Sequence, residues 1–238
     1  MTEGRNSNRP SAVMDYIACM MEQDEMTVNT KTQYPEKHHS RTHFLMVLAL
    51  LYWLPVATIL TGMVPFSLRS LLLLLMFVFT AIYAIMQGHS AAELGLENFN
   101  LRTSLAVNLP AGITAAGVVF LLPIAGVHDR LLPPPEATFI FFYVLISSPV
   151  QEFLFRSFLF SEMRRSNIHS PIWQVVISAM SFAFLHAVYL DPLTGLLSFA
   201  AGIMWSIIYQ RIPNLAEVSL SHAIIGIMAI MSGVARKI

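Results

Sequence analysis

The chain has 238 residues, of which 55% are hydrophobic and only 12% charged, and its 14 basic residues balance its 14 acidic ones. Soluble domains carry roughly 25% charged residues, so this composition, with a mean hydropathy of +0.62, excludes an ordinary water-soluble globule and indicates a membrane protein. Zero net charge removes any electrostatic case for nucleic acid as a partner. A single cysteine, Cys19, excludes an intrachain disulfide and any cysteine-type metal spacing.

Residues 1–42 are polar and show no sustained period, so a mobile N-terminal tail is expected there. No apolar stretch of the kind a secretory leader uses is found among them. From His43 the chain turns apolar in blocks of about 18–24 residues, the length needed to cross a hydrocarbon core roughly 30 Å thick. Seven spans are predicted, over 43–64, 70–87, 104–126, 137–162, 171–190, 193–210 and 213–235. The expected fold class is therefore all-α, a polytopic membrane helix bundle over 43–238 whose first partner is the lipid bilayer. Between spans, Ser67 to Arg69 reads as a tight turn. His89 to Arg102 reads as an amphipathic segment suited to the headgroup level. Asp129 to Glu136 reads as a proline-stiffened loop.

Basic residues near span ends favour a cytoplasmic N-terminus. That side would hold Lys37, Arg41, Arg102, Arg164, Arg165 and Arg211, against Arg69, Arg130, Arg236 and Lys237 on the other.

The fourth span carries the pattern around which the chain is organised, Pro149 to Arg156. Glu152 and Arg156 stand four residues apart, on one face of a helix, inside an otherwise apolar run. Charge at membrane depth is costly and usually faces a bundle interior at a functional site, although such a pair can equally neutralise itself and lock helices together. Counting at about 1.5 Å per residue from the span ends puts Glu152 roughly 18 Å, His186 roughly 22 Å and His222 roughly 14 Å from the same membrane face. A lone histidine on an apolar helix is more often a packing residue than a catalyst. Two at the depth of a buried Glu/Arg pair point instead to a dry site in which carboxylate and imidazoles activate water. Pro149 is expected to kink the helix just before Glu152.

Together these residues resemble the CAAX-processing and bacteriocin-processing membrane proteases, relatives of the prenyl-protein endopeptidases, over about residues 90–230. The family pattern Glu-Glu-x-x-x-Arg appears as Gln151-Glu152-Phe-Leu-Phe-Arg156. Phe-x-x-x-His is intact as Phe182 to His186, and His-x-x-x-Asn appears as His222 to Gly226. Ala92 to Leu96 also resembles a short segment that members carry ahead of the core. The resemblance implies a glutamic-type intramembrane endopeptidase that uses no cofactor. It also implies a protein or peptide substrate in or near the membrane, and a bacterial inner membrane as location. Glu152 would activate water, Arg156 would orient the Glu152 carboxylate, His186 and His222 would position water and steady the oxyanion, and Phe182 would contact substrate. Two positions depart from the pattern: the leading acid is Gln151, and the final amide donor is Gly226. They leave room for a non-catalytic, partner-binding member of the same fold. A zinc site built from Glu152, His186 and His222 is a further alternative, because carboxylate and imidazole are suitable ligands.

Overall fold

The computed structural model describes residues 39–97, 100–127 and 132–234. Most of the expected tail, and Asp129 to Leu131 of the expected proline-stiffened loop, lie outside the described residues. Seven helices follow one another: α1 (Arg41–Leu60), α2 (Phe66–Gln87), α3 (Leu101–Leu121), α4 (Ala137–Arg165), α5 (Pro171–Tyr189), α6 (Pro192–Arg211) and α7 (Leu215–Met231). The first six are long and apolar enough to cross a membrane, and α7 is a shorter apolar helix of 17 residues. There is no strand among the described residues. The chain is thus an all-α, polytopic integral membrane bundle.

The bundle distributes polarity as a lipid-solvated protein does. On α2 the inward stripe is Leu73, Met76, Thr80 and Ala84, at helical spacing, whereas Leu71, Leu75, Phe79, Ile82 and Met86 are exposed on the other side. Polar side chains point inward instead: Ser104, Asn108, Ser148, Glu152, Arg156, Ser178 and Ser206 are all buried. Small residues let helices meet closely. A Cβ on Gly202 of α6 would stand 3.0 Å from Ala179 Cα of α5, and one on Gly112 of α3 would stand 3.2 Å from Ser221 Cα of α7. Close backbone approach of this kind is a main source of helix association in lipid.

α4 is the central helix, and it is irregular in two places. Tyr143–Ser147 and Phe153–Phe158 are wide, π-type turns. The first lies just ahead of Pro149. The helix widens just ahead of this proline, where the Ser148 N–H reaches back five residues to the Tyr143 carbonyl. Proline lacks an N–H and crowds the carbonyl four residues earlier, and an i→i+5 turn relieves that crowding. α1 uses the same device, with a wide turn at Ala49–Trp53 ahead of Pro55. The second wide turn carries Arg156, and neighbouring helices serve its carbonyls. Tyr52 Oη donates to Leu154 O at 2.6 Å, and Ser178 Oγ donates to Phe155 O at 2.7 Å. In a medium without water, a backbone carbonyl needs such a protein partner.

The segment after α2 forms a tight turn at the end of the bundle. Ser90 and Glu93 cap one another reciprocally, Ser90 N to Glu93 Oε2 at 2.7 Å and Glu93 N to Ser90 Oγ at 3.1 Å. The turn then inserts its backbone into the bundle end. Leu94 O accepts from Ser157 Oγ and Tyr209 Oη, and Gly95 O accepts from Leu215 N. Gly95 has a φ of 62° and lies so close to Tyr209 that any side chain would collide. Arg165, at the end of α4, fixes the turn from below. Its guanidinium forks onto both Glu93 oxygens at 3.0 and 2.9 Å and donates to Gln87 O and Gly88 O, the last carbonyls of α2.

Two outcomes follow from these contacts. Tyr52→Phe deprives Leu154 O of its donor and is expected to cost about 1 kcal/mol, read as a lower thermal midpoint in detergent with the helical spectrum unchanged. Burial alone would raise the Glu93 carboxyl, but the Arg165 hydrogen bond, the Ser90 N–H and the Arg165 charge bring it below its ordinary value. A depressed folded pKa means stability that is present above the unfolded value of 4.5 and is lost as pH falls through the folded one. The midpoint should therefore drop on acidification below that pH, and Glu93→Gln should flatten the drop.

Candidate active site

Glu152 is wholly buried, and its carboxylate joins α4 to α7. Oε1 lies 2.5 Å from His222 Nδ1 and 3.3 Å from Arg156 Nη1, and Oε2 lies 3.3 Å from Arg156 Nε. The carboxylate can only accept, so His222 Nδ1 carries the proton in this contact, which leaves Nε2 as the acceptor of the neutral ring. Arg156 is also wholly buried. Its guanidinium donates to Gly202 O at 3.4 Å and lies over the rings of Phe182, at 4.4 Å, and Trp205, at 5.2 Å. A charged pair is tolerable here because each member has further partners.

The imidazoles are held by aromatic rings. His222 stacks on Trp205 with centroids 4.7 Å apart and meets the Phe182 ring edge-on at 5.4 Å. Phe182 in turn lies 4.5 Å from the His186 ring. His186 Nδ1 donates to the Phe182 carbonyl one turn back at 2.9 Å, so its neutral ring likewise keeps an Nε2 lone pair. Arg156, Phe182, His186, His222 and Glu152 thus form one connected group, with Phe182 between the two histidines.

A cavity of about 860 Å³ opens beside this group, walled by α2 to α7. Its lining is largely apolar, including Leu73, Val119, Phe139, Leu197 and Met204. Residues at the helix ends near Phe66, Glu136 and Tyr189 also line it. Because successive helices alternate in direction, that end of the bundle is opposite the one holding Arg41 and Arg165. His186, His222, Phe182 and Gln151 reach the cavity wall, whereas Glu152 and Arg156 are set behind it.

Three further residues belong to the site. Gln151 donates from Nε2 to Ser147 Oγ at 3.0 Å and keeps a buried Oε1 with no hydrogen-bond partner. Tyr143 lies eight residues earlier, two turns up the same helix face, and Tyr143, Ser147 and Gln151 line the cavity together. That spacing was a usable sequence signal. Trp205 offered none, since nothing in α6 distinguishes it from a packing residue. The Tyr143 hydroxyl occupies the space beside Gly226: a Cβ there would overlap it and would stand 2.6 Å from Tyr143 Cζ. The group of histidine and carboxylate ligand atoms that converges as a metal site would, among the described residues, is not Glu152, His186 and His222 but His39, His43 and Glu162.

No curated protein and no solved structure matches the chain. Residues 133–228 match the family model described as type II CAAX prenyl endopeptidase Rce1-like, a stretch that runs from just before α4 into α7 and contains the whole Glu152 group. This helical core is thus similar to the CAAX-processing family of membrane proteases.

Proposed function

We propose that the protein is an intramembrane endopeptidase in which Glu152 acts through His222. The supporting observation is the 2.5 Å contact between Glu152 Oε1 and His222 Nδ1, with the carboxylate walled off from the cavity and the imidazole on its lining. The sequence suggested direct contact between Glu152 and water. Its burial favours a relay of roles instead, in which the carboxylate fixes the His222 tautomer and supports the imidazolium that forms. Water held by the Nε2 atoms of His222 and His186 attacks the scissile carbonyl carbon. One of its protons passes to His222 Nε2 as the new C–O bond forms. The Tyr143 hydroxyl is the oxyanion donor in place of the side chain that Gly226 lacks. His222 then returns the proton to the departing amine nitrogen as the C–N bond breaks.

The substrate in this reading is a membrane-associated protein or peptide, its apolar part accommodated by the cavity. The Arg41 and Arg165 end faces the cytoplasm, as its basic residues favour, in a bacterial inner membrane. No cofactor takes part.

Cleavage of prenylated and unmodified membrane peptides by detergent-purified protein tests the reading. Glu152→Gln should lower kcat by about a thousandfold or more with KM little changed in the folded fraction. Wild-type rates in that variant would refute the role. Tyr143→Phe should lower kcat by roughly a hundredfold while leaving the thermal midpoint nearly unmoved. Gln151 favours a second reading, a non-catalytic partner-binding protein, because an amide stands where the family pattern has an acid. Cleavage by Gln151→Glu alone, with the natural chain inert, would establish that alternative.

A further inference from the structure

At the end of the bundle away from the cavity mouth, three histidines surround one buried carboxylate. Glu162 Oε1 lies 2.6 Å from His39 Nδ1 and 3.7 Å from His43 Nε2, and Oε2 lies 3.5 Å from His89 Nε2. The side chains of Glu162 and His89 are both fully buried. Glu162 Oε2 and His89 Nε2 nevertheless have no hydrogen-bond partner. The ligand atoms of His39, His43 and Glu162 all lie within 4.8 Å of one another. Nothing in the cleavage chemistry uses these residues.

The backbone holds the three ligands in place before any ion arrives. His39 N donates to Arg165 O at 2.9 Å, and Ser40 caps α1 by accepting from His43 N at 3.1 Å. His39 and His43 are four residues apart, and their rings lie 4.5 Å from one another. Glu162 projects from the last turns of α4. His89 follows Gly88, the C-cap of α2, and its Nδ1 is paired with Ser161 Oγ at 2.8 Å, which turns Nε2 toward the carboxylate.

A buried carboxylate needs positive charge beside it. Arg165, three residues on, is committed to Glu93. One proton shared with one imidazole would neutralise Glu162, and the remaining imidazoles would then be superfluous. Two imidazoles and a carboxylate with a fourth position open to water or to the Tyr83 hydroxyl, which already meets His43 Nε2 at 2.5 Å, are instead a zinc-type donor set. Tetrahedral ligands at about 2.1 Å from an ion stand about 3.4 Å apart, a value bracketed by the 2.6 and 3.7 Å contacts to Oε1. Imidazole donors favour zinc and its transition-metal neighbours over magnesium or calcium.

We propose that His39, His43 and Glu162 bind a divalent transition metal of the zinc class, with His89 orienting Glu162 through the carboxylate oxygen left off the ion. Such an ion ties the start of α1 to the end of α4, beside the end of α2.

Tag-free protein, stripped with chelator and dialysed, is titrated with Zn²⁺ alone, and with Co²⁺ for its ligand-field spectrum. One ion per chain, a tetrahedral Co²⁺ spectrum and a raised thermal midpoint are expected. His39→Gln and His43→Gln, both at partly exposed positions, should each weaken binding by about a hundredfold or more. His89→Gln should weaken it by about 10–100-fold, as the loss of an outer partner does. His169→Gln, at an exposed histidine elsewhere, should change nothing. Folded protein that binds no ion overturns the proposal. So does binding that survives His39→Gln and His43→Gln, or that is lost instead with His186→Gln or His222→Gln, which would assign the ion to the cavity.

Discussion

A carboxylate without water must be held by something, and much of this bundle is arranged to hold Glu152. Its oxygens meet an imidazole from α7 and a guanidinium from its own helix, and that guanidinium is held by a carbonyl of α6 and a ring of α5. Four helices therefore share one charged group. Removing any member leaves a buried charge without its counterpart, which costs more than the contact itself contributes. The apolar contacts around it, Phe155, Phe182 and Trp205 above all, add packing and exclude water, and so keep the electrostatics strong.

The widened turns of α4 belong to the same constraint. Adjacent residues on a regular helix point about 100° apart. Gln151 faces the cavity, and Glu152 turns to His222 behind it, so each neighbour has a separate environment. The wide turn that follows frees carbonyls, and Tyr52 and Ser178 take them up. Tyr52 and Ser178 are thus partners of an irregular backbone, buried where lipid-facing leucines are not.

Much of this was legible in the sequence. The seven apolar blocks coincide with the seven helices to within a few residues, because span length and hydropathy are set by the bilayer and need no tertiary knowledge. The depth count brought Glu152 and His222 to one level for the same reason, since rise per residue is nearly constant. Which way a side chain turns was not legible. It depends on helix rotation and on wide turns, and so Glu152 was expected at the water and is found behind His222. The anchoring of the Ser90 to Gly95 turn was not legible for a related reason, because its backbone carbonyls pair with Ser157, Tyr209 and Leu215 from distant helices. The cluster at Glu162 drew no attention because its histidines are scattered over positions 39, 43 and 89 and meet only in the fold.

The absence of a side chain at Gly226 and the presence of a phenol at Tyr143 are one fact seen from two helices. They occupy a single volume, so the size of one side chain limits the size of the other. An asparagine introduced at 226 meets the ring, and a smaller residue at 143 leaves a hole where no side chain reaches. A single change at either position therefore leaves the shared space either overfilled or hollow unless the other side chain changes in size with it. Positions 143 and 226 are therefore expected to change as a pair.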